Sequence, residues 1–220
     1  MNQLNSPWGR FKAHLSTWFI DHEILRKIFR NFYRLDAHAF RSNHPSSGFI
    51  KKLKNKYGLK TIVSLRKPDN SPQYLLEKEA CEKYDITLIN HSMSSCKFPK
   101  PEKILGAKTL FETIEYPALF HCKSGADRAG LMSVLYRHFV HNEPIQQARR
   151  ELSIKYGHFR WADTGKLDYF FDAFEHFEAT HPNTPFIDWV AHHYDSEQLA
   201  SEFKSSGWAN IVVHRILHRE

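Results

Sequence analysis

The run His121-Cys122-Lys123-Ser124-Gly125-Ala126-Asp127-Arg128-Ala129-Gly130 holds the densest chemistry in this 220-residue chain. It joins the apolar stretch Pro117–Cys122 (PALFHC) to a helix-forming stretch. Backbone N–H groups of a short loop entering a helix converge on one point, and with the positive helix end they bind a phosphate dianion without side chains. A cysteine at the centre of that cradle is favoured as the thiolate, which is the nucleophilic form, so Cys122 is the candidate nucleophile. Arg128, six positions on, can fold its planar fork over two phosphoryl oxygens. Gly125 permits the tight loop and Gly130 a close helix–sheet approach. A lone cysteine is more often an inert core residue. Gly, Arg and Gly at the third, sixth and eighth places after this one set it apart.

Around that run stand weaker candidates. His121 is expected to orient the loop rather than to act as a base. Lys123, taken by itself, is an exposed lysine on a loop. Arg66 and Lys67 follow a strand end, where an open α/β sheet places its ligand site, and they either line the substrate mouth or form a solvated turn. Cys96 could pair with Cys122 in a protective disulfide. The histidines show no repeated metal-ligand spacing, so neither a metal nor another cofactor is expected.

The elements that must position the loop are readable from pattern. His38–Ser42 is a strand candidate, Ser46 caps a helix through Tyr57 that Gly58 stops, and Lys60–Leu65 (KTIVSL) is a β-branched strand. A helix from Pro72 to about Tyr84, a strand Ile86–Asn90, a helix Pro101–Ile114 and the strand Pro117–Cys122 complete a βα alternation. That order predicts an α/β fold: a mainly parallel central sheet flanked by helices, with ligands at the carboxyl ends of the strands. Helices are then expected over Ala129–His141, Pro144–Tyr156 and Thr164–Phe177, with two or three more in 186–217 carrying Trp189, Phe203, Trp208, Val212, Ile216 and Leu217. Before the sheet, Ser6-Pro7 and the spacing of Phe11, Leu15, Trp18 and Phe19 predict a basic amphipathic helix over 7–32. It is either a peripheral membrane contact or a helix packed on its own domain, the commoner outcome. The chain thus divides into an N-terminal amphipathic segment (1–35), a catalytic domain (36–180) and a C-terminal helical extension (181–220) packed on the same domain.

Thirty-one Lys and Arg against twenty-four Asp and Glu leave a net charge of +7, which favours an anionic partner. Nucleic acid is not favoured, because the basic residues are not interleaved with aromatic ones on a sheet face. Three cysteines without a C-x-x-C pair argue against a disulfide framework and for a reducing compartment. No apolar run approaches a membrane span and no secretory signal is readable, so the expected location is the cytoplasm, with the peripheral membrane contact left open.

The sequence His-Cys-x5-Arg-x-Gly between a strand and a helix resembles the signature of the cysteine-dependent protein tyrosine and dual-specificity phosphatase superfamily. The stretch FRSNHPSSGFIKKLKNKYGLKTIVSLR further resembles the entry region of bacterial atypical dual-specificity phosphatases. The resemblance spans residues 38–178. It implies a phosphatase fold and a phosphocysteine intermediate on Cys122, with Arg128 as clamp, no metal, and a loop His121–Gly130 that includes Lys123, Ser124, Gly125, Ala126 and Ala129 in binding phosphate. It also implies a phosphorylated protein as first-ranked substrate, with phosphoinositides, phospholipid head groups or inositol polyphosphates as the alternative. Two departures stand out. The family places Ser or Thr after the arginine to assist departure of the thiolate, and this chain has Ala129. It places an Asp acid some thirty residues before the cysteine, and residues 86–121 contain no Asp. Asp127 is the favoured acid, because an Asp directly before the Arg is similar to the loops of myotubularin, Sac and bacterial effector inositide phosphatases; Asp69, His91 and Glu102 follow. Lys123 is similar to the loop lysine of tensin-type lipid phosphatases, which implies charge for a second phosphate on the substrate, with a plain exposed lysine as the alternative.

Overall fold

Five short strands form the sheet of this computed structural model, which describes residues 30–205: β1 (Tyr33–Arg34), β2 (Ala39–Ser42), β3 (Thr61–Ser64), β4 (Thr87–Asn90) and β5 (Ala118–His121). Their order is β1-β2-β5-β3-β4, and every neighbouring pair is parallel except β1 with β2. Eight α-helices accompany them: α1 (Ser47–Tyr57), α2 (Pro72–Lys83), α3 (Pro101–Thr113), α4 (Asp127–His141), α5 (Ile145–Ala148), α6 (Lys166–Thr180), α7 (Phe186–His192) and α8 (Ser196–Ser205). The chain therefore has the expected α/β fold, with a mainly parallel sheet flanked by helices.

Local sequence explains the elements nearest the site. Ser46 caps α1 by accepting from the Phe49 N–H, and Gly58 ends it at φ 65°, a left-handed conformation that costs glycine little. Ser71 does the same for α2, accepting from Tyr74 N–H, with Pro72 opening the helix. Register then aligns three central strand ends, Ser42 and Ser64 both pairing His121. The chain leaves the sheet at one edge as Asn43-His44, Leu65-Arg66 and the Cys122 loop. Because side chains alternate across a strand, Phe40, Ile62 and Leu119 share a face, and they pack with Phe49, Ile50 and Leu53 of α1 and Ala80 and Cys81 of α2. His121, two residues beyond Leu119, points to that same helix-covered face.

Two compact units are distinguished, one holding residues up to Met93 with Thr113–Ser133, the other Ser94–Glu112 with residues from Val134 onward. The first contains the sheet, α1, α2 and the whole Cys122 loop. The second has an aromatic core in which Phe170, Phe174, Phe186, Trp189 and Tyr194 meet edge-on or tilted, and the Tyr194 hydroxyl donates to Pro99 O at 2.7 Å. Phe203 of α8 packs on Tyr169 and Phe98.

Three expectations are corrected. The helix predicted over 7–32 lies mostly outside the described residues, but 30–32 are not helical. Phe32 instead stacks on Phe40 and meets Phe49, and Tyr33–Arg34 pairs antiparallel with β2. The helix predicted over Pro144–Tyr156 breaks after Ala148 into two 3₁₀ turns, Arg149–Glu151 and Ile154–Tyr156. The break brings Glu151 onto Arg137 at 2.6 Å and Arg149 onto Asp172 and Glu175; buried charges must be paired, and this pairing outweighs helical propensity. The helix expected from Thr164 starts at Lys166, after a 3₁₀ turn at Asp163–Gly165. Trp208, Val212, Ile216 and Leu217 fall outside the described residues. No helix among the described residues is long and apolar enough to cross a membrane.

Candidate active site

The loop after β5 is held by donors that grip its carbonyls from outside. Lys123 O accepts from the His44 N–H (3.3 Å) and Ser124 O from Asn31 Nδ2 (3.0 Å). Gly125 O and Ala126 O both accept from Nη2 of Arg41, at 2.8 and 3.0 Å. In a planar trans peptide the carbonyl and the following N–H point opposite ways. Four successive outward carbonyls therefore turn the N–H groups of Ser124, Gly125, Ala126 and Asp127 toward the other side, and that of Gly125 reaches Cys122 Sγ at 3.2 Å. N–H groups at the start of the fifteen-residue α4 are what an anion cradle requires, and of these four the Ala126 N–H is bonded to Ser124 Oγ at 3.3 Å.

Arg41 is the largest fully buried side chain among the described residues, standing in β2 opposite Phe120 of β5. A guanidinium without solvent needs polar partners, and the two loop carbonyls supply them. Gly125 is required for two reasons. Its φ of +79° lies in the left-handed region, and a Cβ there would stand 2.5 Å from Asn43 N and 2.7 Å from Ser42 C, both backbone atoms that cannot swing aside.

Cys122, Cys81 and Cys96 are free cysteines, and the first two are buried. Cys81, on α2, is inert: burial first, then the charges of Glu77 and Glu82, push its thiol up to about 12. Cys96 is exposed and belongs to the second unit. Arg128 is half-buried in the first turn of α4, and its Nε is a buried donor without a partner in the structure. A buried guanidinium donor without a hydrogen-bond partner, in the first turn of the helix that follows Cys122, is what an oxyanion would satisfy.

The remaining loop residues fall where the sequence suggests. Asp127 opens α4 and is half-buried. Lys123 and Ser124 are exposed, and Ser124 Oγ accepts from Ala126 N–H. Ala126, Ala129 and Gly130 are buried, the last beginning the helical ladder on Ala126 O. Asp69 is a poor acid. Slight burial raises its carboxyl, but hydrogen bonds from Ser71 and the charges of Arg66 and His44 outweigh that and hold it below the ordinary carboxylate range. His91 donates its backbone N–H to Ser64 O at the β3 end. Glu102 lies in the second unit, beside Lys100.

Beneath the loop lies a group that spacing did not reveal. His121 Nε2 is 2.6 Å from Oε1 of Glu77, and neither side chain is exposed. His44 Nδ1 is 3.9 Å from Oε2 of the same carboxylate and 3.4 Å from Nη1 of Arg66. The signal lay in α2, where Glu77, Ala80 and Cys81 stand at the spacing of one buried helix face. Two histidines and a carboxylate within 4.8 Å are also a ligand set that zinc uses. The geometry speaks for direct pairing. Ligands around a tetrahedral zinc stand about 3.3 Å apart, wider than the 2.6 Å contact, and the Arg66 guanidinium already occupies the His44 side. Arg66 thus turns toward His44, whereas Lys67 is exposed.

Residues 38–166 match the family model described as a DSP-PTPase phosphatase fused to NAD+ kinase. The chain belongs to this family. It is a phosphatase of the dual-specificity and tyrosine type, as the resemblance of the Cys122 loop implies. No curated protein sequence matches it. Among solved structures, TpbA of P. aeruginosa is 20% identical with a TM-score of 0.56, over 73% of this chain and 88% of that one. The core catalytic domain of the PP-IP phosphatase SIW14 from S. cerevisiae is 20% identical, TM-score 0.50, over 69% and 92%. PTPMT1 is 14% identical, TM-score 0.50, over 68% and 99%. At these identities the likeness is one of fold.

Proposed function

We infer that the chain hydrolyses phosphomonoesters through a phosphocysteine on Cys122. The observation that carries this is the loop itself: the Gly125 N–H is directed at Cys122 Sγ at 3.2 Å, and six residues after the cysteine Arg128 Nε is buried without a hydrogen-bond partner. In the first step the Cys122 thiolate attacks phosphorus. An S–P bond forms, the P–O ester bond breaks, and the leaving oxygen takes a proton from Asp127. In the second step water attacks, its proton returns to the Asp127 carboxylate, the S–P bond breaks, and inorganic phosphate leaves. The backbone N–H groups and Arg128 stabilise the charge on the equatorial oxygens in both. Ala129 stands where the family usually has the Ser or Thr hydroxyl that assists the departing thiolate, so the second step runs without that assistance.

Tyrosine or dual-specificity protein phosphatase is the first reading of substrate. Phosphoinositides, phospholipid head groups or inositol polyphosphates are the second, favoured by Asp127 before Arg128, the exposed Lys123 and the +7 charge. The shared fold does not choose, since TpbA has been solved with pTyr bound and SIW14 is a PP-IP phosphatase. The test is metal-free hydrolysis of an aryl phosphate, then of a panel of phosphopeptides, phosphoinositides and inositol polyphosphates. Cys122→Ser should abolish turnover and keep vanadate binding, because the cradle is backbone and Arg128 persists. Wild-type turnover in that variant refutes the phosphocysteine.

A further inference from the structure

We propose that Glu77 is a positioning residue that keeps His121 as an imidazolium behind the nucleophile, and that this buried ion pair sets both the shape of the Cys122 loop and the acid limit of thiolate formation. The proposal rests on the phosphocysteine reading but reaches beyond the loop, to a carboxylate on α2.

Each of the two ring nitrogens of His121 makes one close contact. Nδ1 lies 3.4 Å from the carbonyl oxygen of Cys122, and a carbonyl can only accept, so this contact needs a proton on Nδ1. Nε2 lies 2.6 Å from Glu77 Oε1, and a bare lone pair that close to a carboxylate would be repelled. Both contacts are favourable only when the ring carries two protons and a positive charge. The Glu77 approach departs from the straight N–H···O direction, leaving Oε1, Oε2 and Nε2 outside the directed hydrogen bonds; the attraction is between charges.

Charges around the pair agree. Burial would push the Glu77 carboxyl up, but the charge of His121 and its contact, then those of His44 and Arg66, outweigh it and hold the group below its ordinary value, so it stays ionised. The groups that face it are His121 from β5, His44 from the turn after β2, Arg66 from the turn after β3, and Cys81 one helical turn along α2, a neutral thiol at any working pH. A buried carboxylate with this many cationic neighbours and no exposed surface is not a solvated helix charge.

The consequence for Cys122 follows from direction. The pair is neutral overall, which makes its burial tolerable, yet its positive end lies against the Cys122 peptide and its negative end is turned away into α2. A dipole so placed favours the thiolate over the thiol. It also fixes the Cys122 carbonyl, the last peptide before the four whose carbonyls are gripped from outside. With Gln at position 77 the ring is left neutral. If its one proton goes to the Gln side, the Nδ1 lone pair faces the Cys122 carbonyl and the loop entrance is pushed away.

The test uses the full chain and needs no turnover. Alkylation of Cys122 by iodoacetamide is followed by mass spectrometry across pH 5–9, which separates it from the exposed Cys96. In Glu77→Gln the rate at pH 6 should fall about tenfold or more and its inflection move to higher pH, while Cys96 reacts as before. A residue that only supports the fold would lower the melting temperature and leave the inflection in place, which overturns the proposal. Should Glu77→Gln not fold, the wild type decides: in a long-range proton–nitrogen NMR spectrum, assigned with His121→Gln, both ring nitrogens of His121 should be protonated at pH 7.5. One bare nitrogen there overturns the imidazolium. Aryl phosphate hydrolysis by the wild type reports separately on the phosphocysteine reading.

Discussion

Asp127 and Ala129 stand on either side of Arg128, and each governs one half of the reaction. An acid matters only where the leaving oxygen needs a proton. Asp127→Asn should therefore slow alkyl phosphate hydrolysis by about 100-fold and aryl phosphate hydrolysis only mildly, since a phenolate leaves unaided. Comparing the two kcat/KM values checks this; equal losses on both substrates, with weaker phosphate binding, would make Asp127 a structural residue of the loop. Asp69 is held below the ordinary carboxylate range by the Ser71 hydrogen bonds and the charges of Arg66 and His44, which weakens it as a proton donor. Arg128 offers a second check at this scale. Arg128→Lys keeps the charge but loses the fork and Nε, so kcat/KM should drop by about 100-fold or more, and unchanged kinetics would refute the clamp.

At the scale of elements, what matters is that β2 builds the loop after β5. Arg41 occupies the middle of β2, where its register partner on β5 is Phe120, and from there it holds two carbonyls at once. Lysine at that place can reach one. Arg41→Lys should leave the N–H groups of Ala126 and Asp127 misdirected and reduce kcat/KM by roughly 100-fold, the scale of a 1 Å misplacement, with vanadate affinity falling in parallel; full activity would mean the loop shapes itself. Gly125→Ala should be worse, losing about 1–3 kcal/mol to the positive φ alone before the contact with Asn43 N is counted, and thermal unfolding will read it. These roles mark where legibility ended. Ser46, Gly58, Ser71 and Pro72 bound their helices within a few residues, so α1 and α2 were readable. The loop was readable because its chemistry is contiguous. Arg41, His44 and Glu77 act on it from 44 to 85 residues away through pairing that no local pattern encodes, as with Ala126 and Arg41. The same holds for β1, a two-residue strand fixed only by its partner, and for the helix lost at Arg149, where ion pairs with α6 override propensity.

For the whole molecule the net charge of +7 sets how an anionic substrate arrives. Fields from many surface charges raise the local concentration of a dianion near a cationic cleft. They reach about 30 Å at 0.01 M salt but only about 8 Å at 0.15 M. Charges inside the site are shielded from salt by burial: Arg128 Nε has no solvent contact, and Cys122 and Arg41 are buried. The two ranges make different predictions. Raising salt from 0.01 to 0.2 M should lower kcat/KM for a soluble phosphopeptide by roughly 3- to 10-fold, while kcat changes by less than about twofold, because once bound the phosphoryl group meets only the loop. A substrate with several phosphates should show a steeper slope than a phosphotyrosine peptide, since more of its charge interacts with the surface field. Steady-state kinetics in a non-coordinating salt decide the matter. A kcat/KM that is flat in salt would mean that the excess cations lie away from the path of the substrate, and a kcat that falls with salt as steeply as kcat/KM would mean that the loop itself is open to ions, against the burial of its arginine.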